Sequence, residues 1–236
     1  IHKILIGLSF FIPLILYILT MAPTTSFWDC GEFIATSYIL GVPHPPGAPL
    51  YLLLGNIFSS IPIFSDIGAR VNLISPITSA LSVMFLYLII VYLIEEYRGR
   101  INNIYDSIII CGSAFTAAMT FAVTDSHWFN AVEAEVYSLS TFFTSIVVWM
   151  ILKWSRNGEK NWNIRYLLII VYMLGLAIGV HLLNLLTLPF VALIIYFKRF
   201  KFSFKTFLIP ILVTLLTFIM IYIGVIKGIP DLMSKI

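Results

Sequence analysis

Long stretches of this chain carry no charged residue at all: 4–28, 71–94, 107–124, 136–152, 166–197 and 206–226 contain no Asp, Glu, Lys or Arg. An apolar run of about 20 residues is long enough to cross the hydrocarbon core of a bilayer. Of the 236 residues, 60% are hydrophobic and 11% charged, and the mean hydropathy is +1.01; a soluble domain is about one quarter charged. A water-soluble globular domain is therefore excluded. The fold class expected is all-α, a polytopic bundle of membrane helices.

Reading the apolar runs between charges predicts seven spans, near 4–21, 71–94, 104–124, 136–152, 166–180, 182–197 and 206–225. The fifth and sixth are separated at Gly179–His181 because 166–197 as one helix would stretch to roughly 48 Å, far more than a bilayer needs. The first run follows His2 and Lys3 as a signal peptide would, but it is longer than a signal-peptide core and lacks a small-residue cleavage site, so it reads as a retained span. The chain begins and stops on Ile, and it is expected to be the N-terminal part of a longer membrane domain with a C-terminal region beyond Ile236.

Cytoplasmic loops are enriched in Lys and Arg. With the N-terminus inside, eleven of the fourteen Lys and Arg fall inside, Lys3 and ten in clusters at 98–100, 153–165 and 198–205, against four acidic residues. The outer side holds Arg70, Lys227 and Lys235 against seven acidic residues, Asp29, Glu32, Asp66, Asp125, Glu133, Glu135 and Asp231, and also His44, His127 and His181. The net charge of +3 is dispersed, without the dense basic stripe of a nucleic-acid-binding surface. Cys30 and Cys111 fit neither a metal spacing nor a disulfide framework and read as unpaired.

The outer loop 22–70 is too long for a simple connection and too apolar for a tether, so it must fold against the membrane. Short helices are expected at Glu32–Leu40 and Leu50–Phe58, the second lying in the interface. The turn between them, GVPHPPGAP at 41–49, is stiffened by four prolines and shaped by two glycines.

Two clusters carry chemistry. In TTSFWDCGEF, 24–33, Asp29 and Glu32 share a helix face, near enough for each to influence the other's protonation. A carboxylate there suits a general base, which must lie within hydrogen-bonding reach of its proton; Ser26 and Asp29 also read as a capping box at a helix start. In TDSHWFNAVEAEVYS, 124–138, Asp125, His127, Glu133 and Glu135 gather within eleven residues. Glu133 shares a helical face with Tyr137 and Ser140 while Glu135 points elsewhere, so at most one of the two is expected to face the bundle. The alternative is a solvated helix start with its acids at the positive dipole end, and Trp28 and Trp128 read as interfacial anchors. Arg70 has the geometry to hold a lipid-linked phosphate by paired hydrogen bonds, with snorkelling at the boundary as the other reading; Asn72 serves either. His181 and Asn184 form a polar pair in an apolar hairpin. No HExxH, GxSxG, P-loop or Rossmann glycine pattern occurs, and no charged residue sits in the middle of a span, where ion pathways show themselves.

The strings SFWDCGEFIATSYILGVPHPPGAPLYLLLGNIF, ARVNLIS, HWFNAVEAEVYSL and GLAIGVHLLNLL resemble a family of bacterial and eukaryotic membrane proteins whose eukaryotic members are protein O-mannosyltransferases. That family is similar to the GT-C membrane glycosyltransferases. The resemblance runs from about Ile4 to Pro189. It implies a polyprenyl- or dolichyl-phosphate-linked sugar as donor and a Ser or Thr hydroxyl of an exported protein as acceptor, joined on the outer face with inversion at the anomeric carbon. It implies Asp29 as the catalytic base with Glu32 beside it, and Arg70 as the donor-phosphate ligand. His44, Asn72, His127, Glu135, His181 and Asn184 complete the substrate-binding candidates. No cofactor is demanded and no metal site is expected, although Asp29 and Glu135 would make a divalent-ion pair if they converged. The expected location is a bacterial inner membrane with the site facing the periplasm. GT-C enzymes have more spans than seven, and the family does not fix the sugar. The rival readings are a secondary transporter for a polar solute, which calls for broken helices near the midplane, and a noncatalytic scaffold subunit of an envelope complex.

Overall fold

Hydrocarbon supplies no partner for a free N–H or C=O, so each apolar run must close its own hydrogen bonds as a helix. The computed structural model describes residues 1–156, 163–233 and 235, and among these there are helices and turns but no strand. Six helical stretches are long and apolar enough to cross a membrane: His2–Thr20, Ile67–Arg98, Ile104–Ala122, Val136–Arg156, Leu182–Arg199 and Phe204–Lys227. The chain is a multi-pass, all-α membrane protein.

Helix α1 is His2–Thr20. The outer loop then builds α2 (Cys30–Ile39), α3 (Pro49–Ser60) and α4 (Ile67–Asn72) before α5 (Ile74–Arg98). Next come α6 (Ile104–Ala122), the short α7 (Asp125–Ala131), α8 (Val136–Arg156) and α9 (Asn163–Ile178). The expected break near Gly179–His181 is present: a 3-10 turn at Leu182–Leu186 leads into α10 (Thr187–Arg199). At 16 residues α9 is shorter than the six stretches that can cross. The chain closes with α11 (Phe204–Ile219), a π-helical stretch Met220–Lys227 and α12 (Gly228–Met233). Glu159 and Lys160, which the charge pattern puts on the basic side, lie outside the described residues.

Helix α5 is the centre of the bundle and packs against α1, α6 and α8. Between lipid-embedded helices small residues let backbones approach closely, and the alanines of α6, Ala114, Ala118 and Ala122, pack in one buried cluster with Val83, Tyr87 and Val91 of α5. Polar side chains close the seams. Tyr17 Oη donates to the Ala122 carbonyl at 2.7 Å, Trp128 Nε1 donates to Thr20 Oγ1 at 3.0 Å, and the Ala22 N–H reaches the Val132 carbonyl at 2.8 Å. The end of α1 is thereby tied to the α6–α8 corner. Trp128 does its work through that bond, whereas Trp28 is 84% exposed.

The outer loop is a folded layer. Asn56 on α3 donates to the last carbonyls of α2, Ser37 and Tyr38, at 3.0 and 3.1 Å. These two helices meet so closely at Gly55 that a Cβ there would come within 2.7 Å of the Ser37 Cβ. Asp66 caps α4 by accepting from the Ala69 N–H at 3.1 Å. Ser37 is fully buried and cannot give way. Gly55→Ala should therefore cost about 1–3 kcal/mol through overpacking, visible as a lowered melting temperature of the detergent-purified protein; an unchanged melting temperature would mean the two helices are not in contact.

Candidate active site

Asp29 stands at the head of α2, following a turn in which Trp28 takes a left-handed φ of 55°, an uncommon conformation for a bulky residue. Its carboxylate makes no bond to the helix start, so the capping box read from Ser26 and Asp29 does not form. The Ser26 N–H points instead to Cys30 Sγ at 3.5 Å. Both cysteines are free and buried.

The 41–49 turn folds back over α2, with Gly47 at φ +75°, a conformation that glycine adopts without strain. It delivers His44 to the two carboxylates. Glu32 accepts twice from that residue, from the His44 backbone N–H at 2.6 Å and from Nδ1 at 2.7 Å. This double bond fixes the imidazole so that Nε2 faces Asp29 Oδ2 at 3.9 Å. Each partner shifts the other: Glu32 is held below the usual carboxylate range by His44, and His44 is held above the usual imidazole range by Glu32. One ligand atom from each of Asp29, Glu32 and His44 lies within 4.8 Å of the others, an O, O, N set that a divalent cation could take. In this conformation Nδ1 of His44 is engaged by Glu32, and the group is organised as a proton-sharing pair beside a free carboxylate.

The opposite wall comes from the segment leading into α8. Both Glu133 and Glu135 are buried, at 1% and 5% exposure, although at most one was expected to turn inward. The reason is local: α8 starts only at Val136, and the preceding residues bend rather than extend the helix, so the helical spacing used for that expectation does not apply. Glu135 lines a small cavity with Asp29, His44, Tyr137, His181 and the backbone of Pro46–Ala48. Burial, helped by the negative charges of Asp29 and Glu133, pushes Glu135 up to about 7. One oxygen of Glu133 is buried without a hydrogen-bond partner; this second buried carboxyl, whose charge acts on Cys30, Tyr51 and Glu135, is not among the site candidates named from the sequence, because nothing in the spacing marks a bend before α8. His181 accepts from the Leu183 N–H through Nδ1 at 3.2 Å and packs on Tyr137, which leaves Nε2 as its donor. Burial lowers its basicity.

Four of the sequence candidates thus meet at one cavity, Asp29, His44, Glu135 and His181, with Glu32 behind them. The others do not reach it. Arg70 donates to three carbonyls of its own loop, Phe64 at 2.6 Å, Ser59 at 3.0 Å and Ser65 at 3.3 Å. Asn72, wholly buried, donates to the Ala22 and Thr24 carbonyls at 2.8 and 2.9 Å. Asn184 joins α8 to the 3-10 turn, donating to Ser140 Oγ at 3.0 Å and accepting from Thr144 Oγ1 at 3.0 Å. His127 is buried against Phe121 and Tyr17, which lowers it to about 4 and keeps it neutral. It lies in a separate depression with Thr124, Asn130 and Thr141.

Residues 29–204 match the family described as the protein O-mannosyl-transferase TMEM260 N-terminal domain. The chain belongs to that family. It is 29% identical over 189 residues to the protein O-mannosyl-transferase tmem260 of Dictyostelium discoideum, covering 75% of this chain and 21% of that protein. It is also 28% identical over 132 residues to protein O-mannosyl-transferase TMEM260 of Mus musculus, covering 56% of this chain and 17% of that protein. The chain spans about a fifth of the length of these curated relatives. No solved structure matches it.

Two outcomes follow from this geometry. Because the folded protein holds the Glu135 proton more tightly than the unfolded chain does, the stability this group contributes is present in acid and is lost as pH rises from the ordinary carboxyl range through about 7. The melting temperature should fall between about pH 5 and about pH 7.5, and Glu135→Gln should flatten that fall; an unchanged slope in the variant would remove Glu135 as its source. Arg70→Lys keeps the charge but not the three-way fork. It should destabilise the fold by about 1–3 kcal/mol and nearly as much as Arg70→Ala; full stability in the Lys variant would mean that charge alone matters there.

Proposed function

We propose that this chain forms the site-bearing part of a GT-C-type membrane glycosyltransferase. It moves a sugar, mannose by the names of its relatives, from a polyprenyl- or dolichyl-phosphate carrier to Ser or Thr hydroxyls of exported proteins. The observation that carries this reading is the meeting of a free carboxylate, Asp29, with the Glu32–His44 pair and the buried Glu135 in one cavity. That cavity lies at the end of the bundle opposite the basic clusters, which by the charge rule is the outer face, the periplasmic side of a bacterial inner membrane.

The chemistry follows from these groups. The acceptor hydroxyl oxygen attacks the anomeric carbon and passes its proton to Asp29. The bond from that carbon to the phosphate oxygen breaks on the opposite face, and the carrier leaves as its phosphate, so the anomeric configuration inverts. Charge then grows on the phosphate. His44, whose basicity is raised by Glu32, stands beside Asp29 and in its protonated form meets that charge, the task expected of Arg70 from the sequence. Glu135, protonated below about 7, donates to a sugar hydroxyl without adding a further negative charge, and Nε2–H of His181 donates from the other wall. Preorganised donors of this kind act where charge develops. The leaving group is already activated, so the step draws on no nucleotide and no metal.

The test uses the full-length parent in membranes with labelled carrier-phosphate sugars and envelope proteins. Asp29→Asn should lower transfer by about 10²–10⁴-fold while the protein inserts normally, and EDTA should leave wild-type transfer unchanged. Transfer abolished by EDTA and restored by a divalent cation would make Asp29, Glu32 and His44 a metal site. No transfer from any carrier by correctly inserted wild type would overturn the enzyme reading in favour of a transporter or a scaffold.

A further inference from the structure

The same helices that carry the acidic cavity end, on the other side of the bundle, in a second cavity of about 470 Å³. Helix α8 starts beside Glu135 and ends at Arg156; with 21 residues it is about 30 Å long, a full hydrocarbon thickness, and its lining residues Tyr137 in the first cavity and Trp149 and Lys153 in the second stand about 18–24 Å apart along it. The second cavity is walled by Leu88 and Val91 of α5 and by Trp149 of α8, and rimmed by Arg100, Lys153 and the Arg156–Glu95 pair. Its volume is within the range of about 300–1,000 Å³ usual for small-molecule sites.

The charges on this rim are unequal in their commitments. Arg156 is fully engaged: Nη1 donates to Glu95 at 2.7 Å, Nη2 donates to the Tyr92 carbonyl at 3.1 Å, and the guanidinium lies 3.7 Å over the Tyr92 ring. Nε also stands 3.8 Å from Glu96, so Arg156 is committed to two carboxylates and is not available to a ligand. Lys153 rests its ammonium 4.6 Å over the Trp149 ring. Among the described residues neither Lys153 nor Arg100 has a carboxylate within 4.0 Å. Among the described residues the cavity therefore offers two cations with no carboxylate partner of their own beside an apolar wall, at the level where helices leave the hydrocarbon. Such a pattern fits an anionic group that carries its own apolar tail. A small soluble anion would leave the wall of Leu88, Val91 and Trp149 unused, and a zwitterionic head group would bring a cation against two others.

We propose that this cavity binds the phosphodiester head group of an anionic phospholipid from the leaflet opposite the acidic site. Arg100 and Lys153 meet the phosphate, and the first carbons of the lipid lie along Leu88 and Val91. Basic recesses between membrane helices on the cytoplasmic side take anionic head groups in this way, each nearby cation adding about tenfold or less to the attraction. The assignment is independent of the proposed transfer reaction, because no residue of the acidic cavity takes part.

The full-length protein, purified in detergent, is titrated with phosphatidylglycerol, with phosphatidylcholine and with inorganic phosphate, and lipid retention is read by native mass spectrometry beside the melting temperature. Wild type should retain phosphatidylglycerol about tenfold better than phosphatidylcholine and show no shift with inorganic phosphate. Arg100→Gln with Lys153→Gln should abolish that preference while the lipid-free melting temperature stays unchanged. Should the double variant fail to fold, Arg100→Gln alone, at an exposed loop position, should reduce the preference several-fold, and Lys153→Arg should keep it. Equal retention of the two lipids, a preference that survives in folded charge-deleted variants, or stabilisation by inorganic phosphate alone as large as by lipid would each overturn the assignment.

Discussion

The side-chain amide of Asn72 holds the outer layer to the bundle. It sits wholly buried at the junction of α4 and α5, donates to the carbonyls of Ala22 and Thr24, and accepts from the Cys30 thiol at 3.7 Å. A buried amide left unpaired costs the full desolvation of its polar atoms, so these bonds are obligatory once α5 is in place. They pin the chain on both sides of the turn that presents Asp29. The carboxylate is therefore positioned from the centre of the bundle outward, through α5, and not by the exposed loop around it.

A division of labour runs through the polar residues of the outer face. Those whose hydrogen-bonding capacity is spent within the fold, Arg70, Asn72, Asn56 and Asn184, build the layer. Those left with a free atom, Asp29, His44 Nε2, Glu135 and His181, line the cavity. Satisfying loop carbonyls with side chains leaves the titratable groups free to line the cavity. The price of this arrangement is borne at Glu135, whose charge is disfavoured by its surroundings.

The membrane helices are readable from the chain because hydrocarbon imposes a single rule, a long apolar run closed on itself, and α1, α5, α6 and α8 obey it. The short helices of the outer loop, at Cys30–Ile39 and Pro49–Ser60, fall close to the expected 32–40 and 50–58, since the Pro and Gly residues between them punctuate the sequence strongly. The site is only half readable. Asp29 and Glu32 are neighbours in the chain, but His44 reaches Glu32 across a proline-rich turn whose path no periodicity describes. Arg70 is an isolated cation in an acidic region, which suggests a ligand until the loop carbonyls that surround it are seen. The two glutamates before α8 mislead for a different reason: Ser138 bonds the Asn130 carbonyl and Ala22 takes that of Val132, so contacts distant in sequence decide where the helix begins.

The uninterrupted α8 has a mechanical meaning. It runs as one helix from Val136, next to the acidic cavity, to Arg156 at the basic end, and α5 lies along it. A rigid strut of fixed length anchored at one surface sets the elevation of whatever it carries at the other. The acidic cavity cannot follow a bilayer that thickens or thins; the bundle must tilt instead, or the lipid must deform around it. The height of the buried glutamate relative to the outer surface thus varies with membrane thickness, while its distance from the basic end of α8 stays fixed.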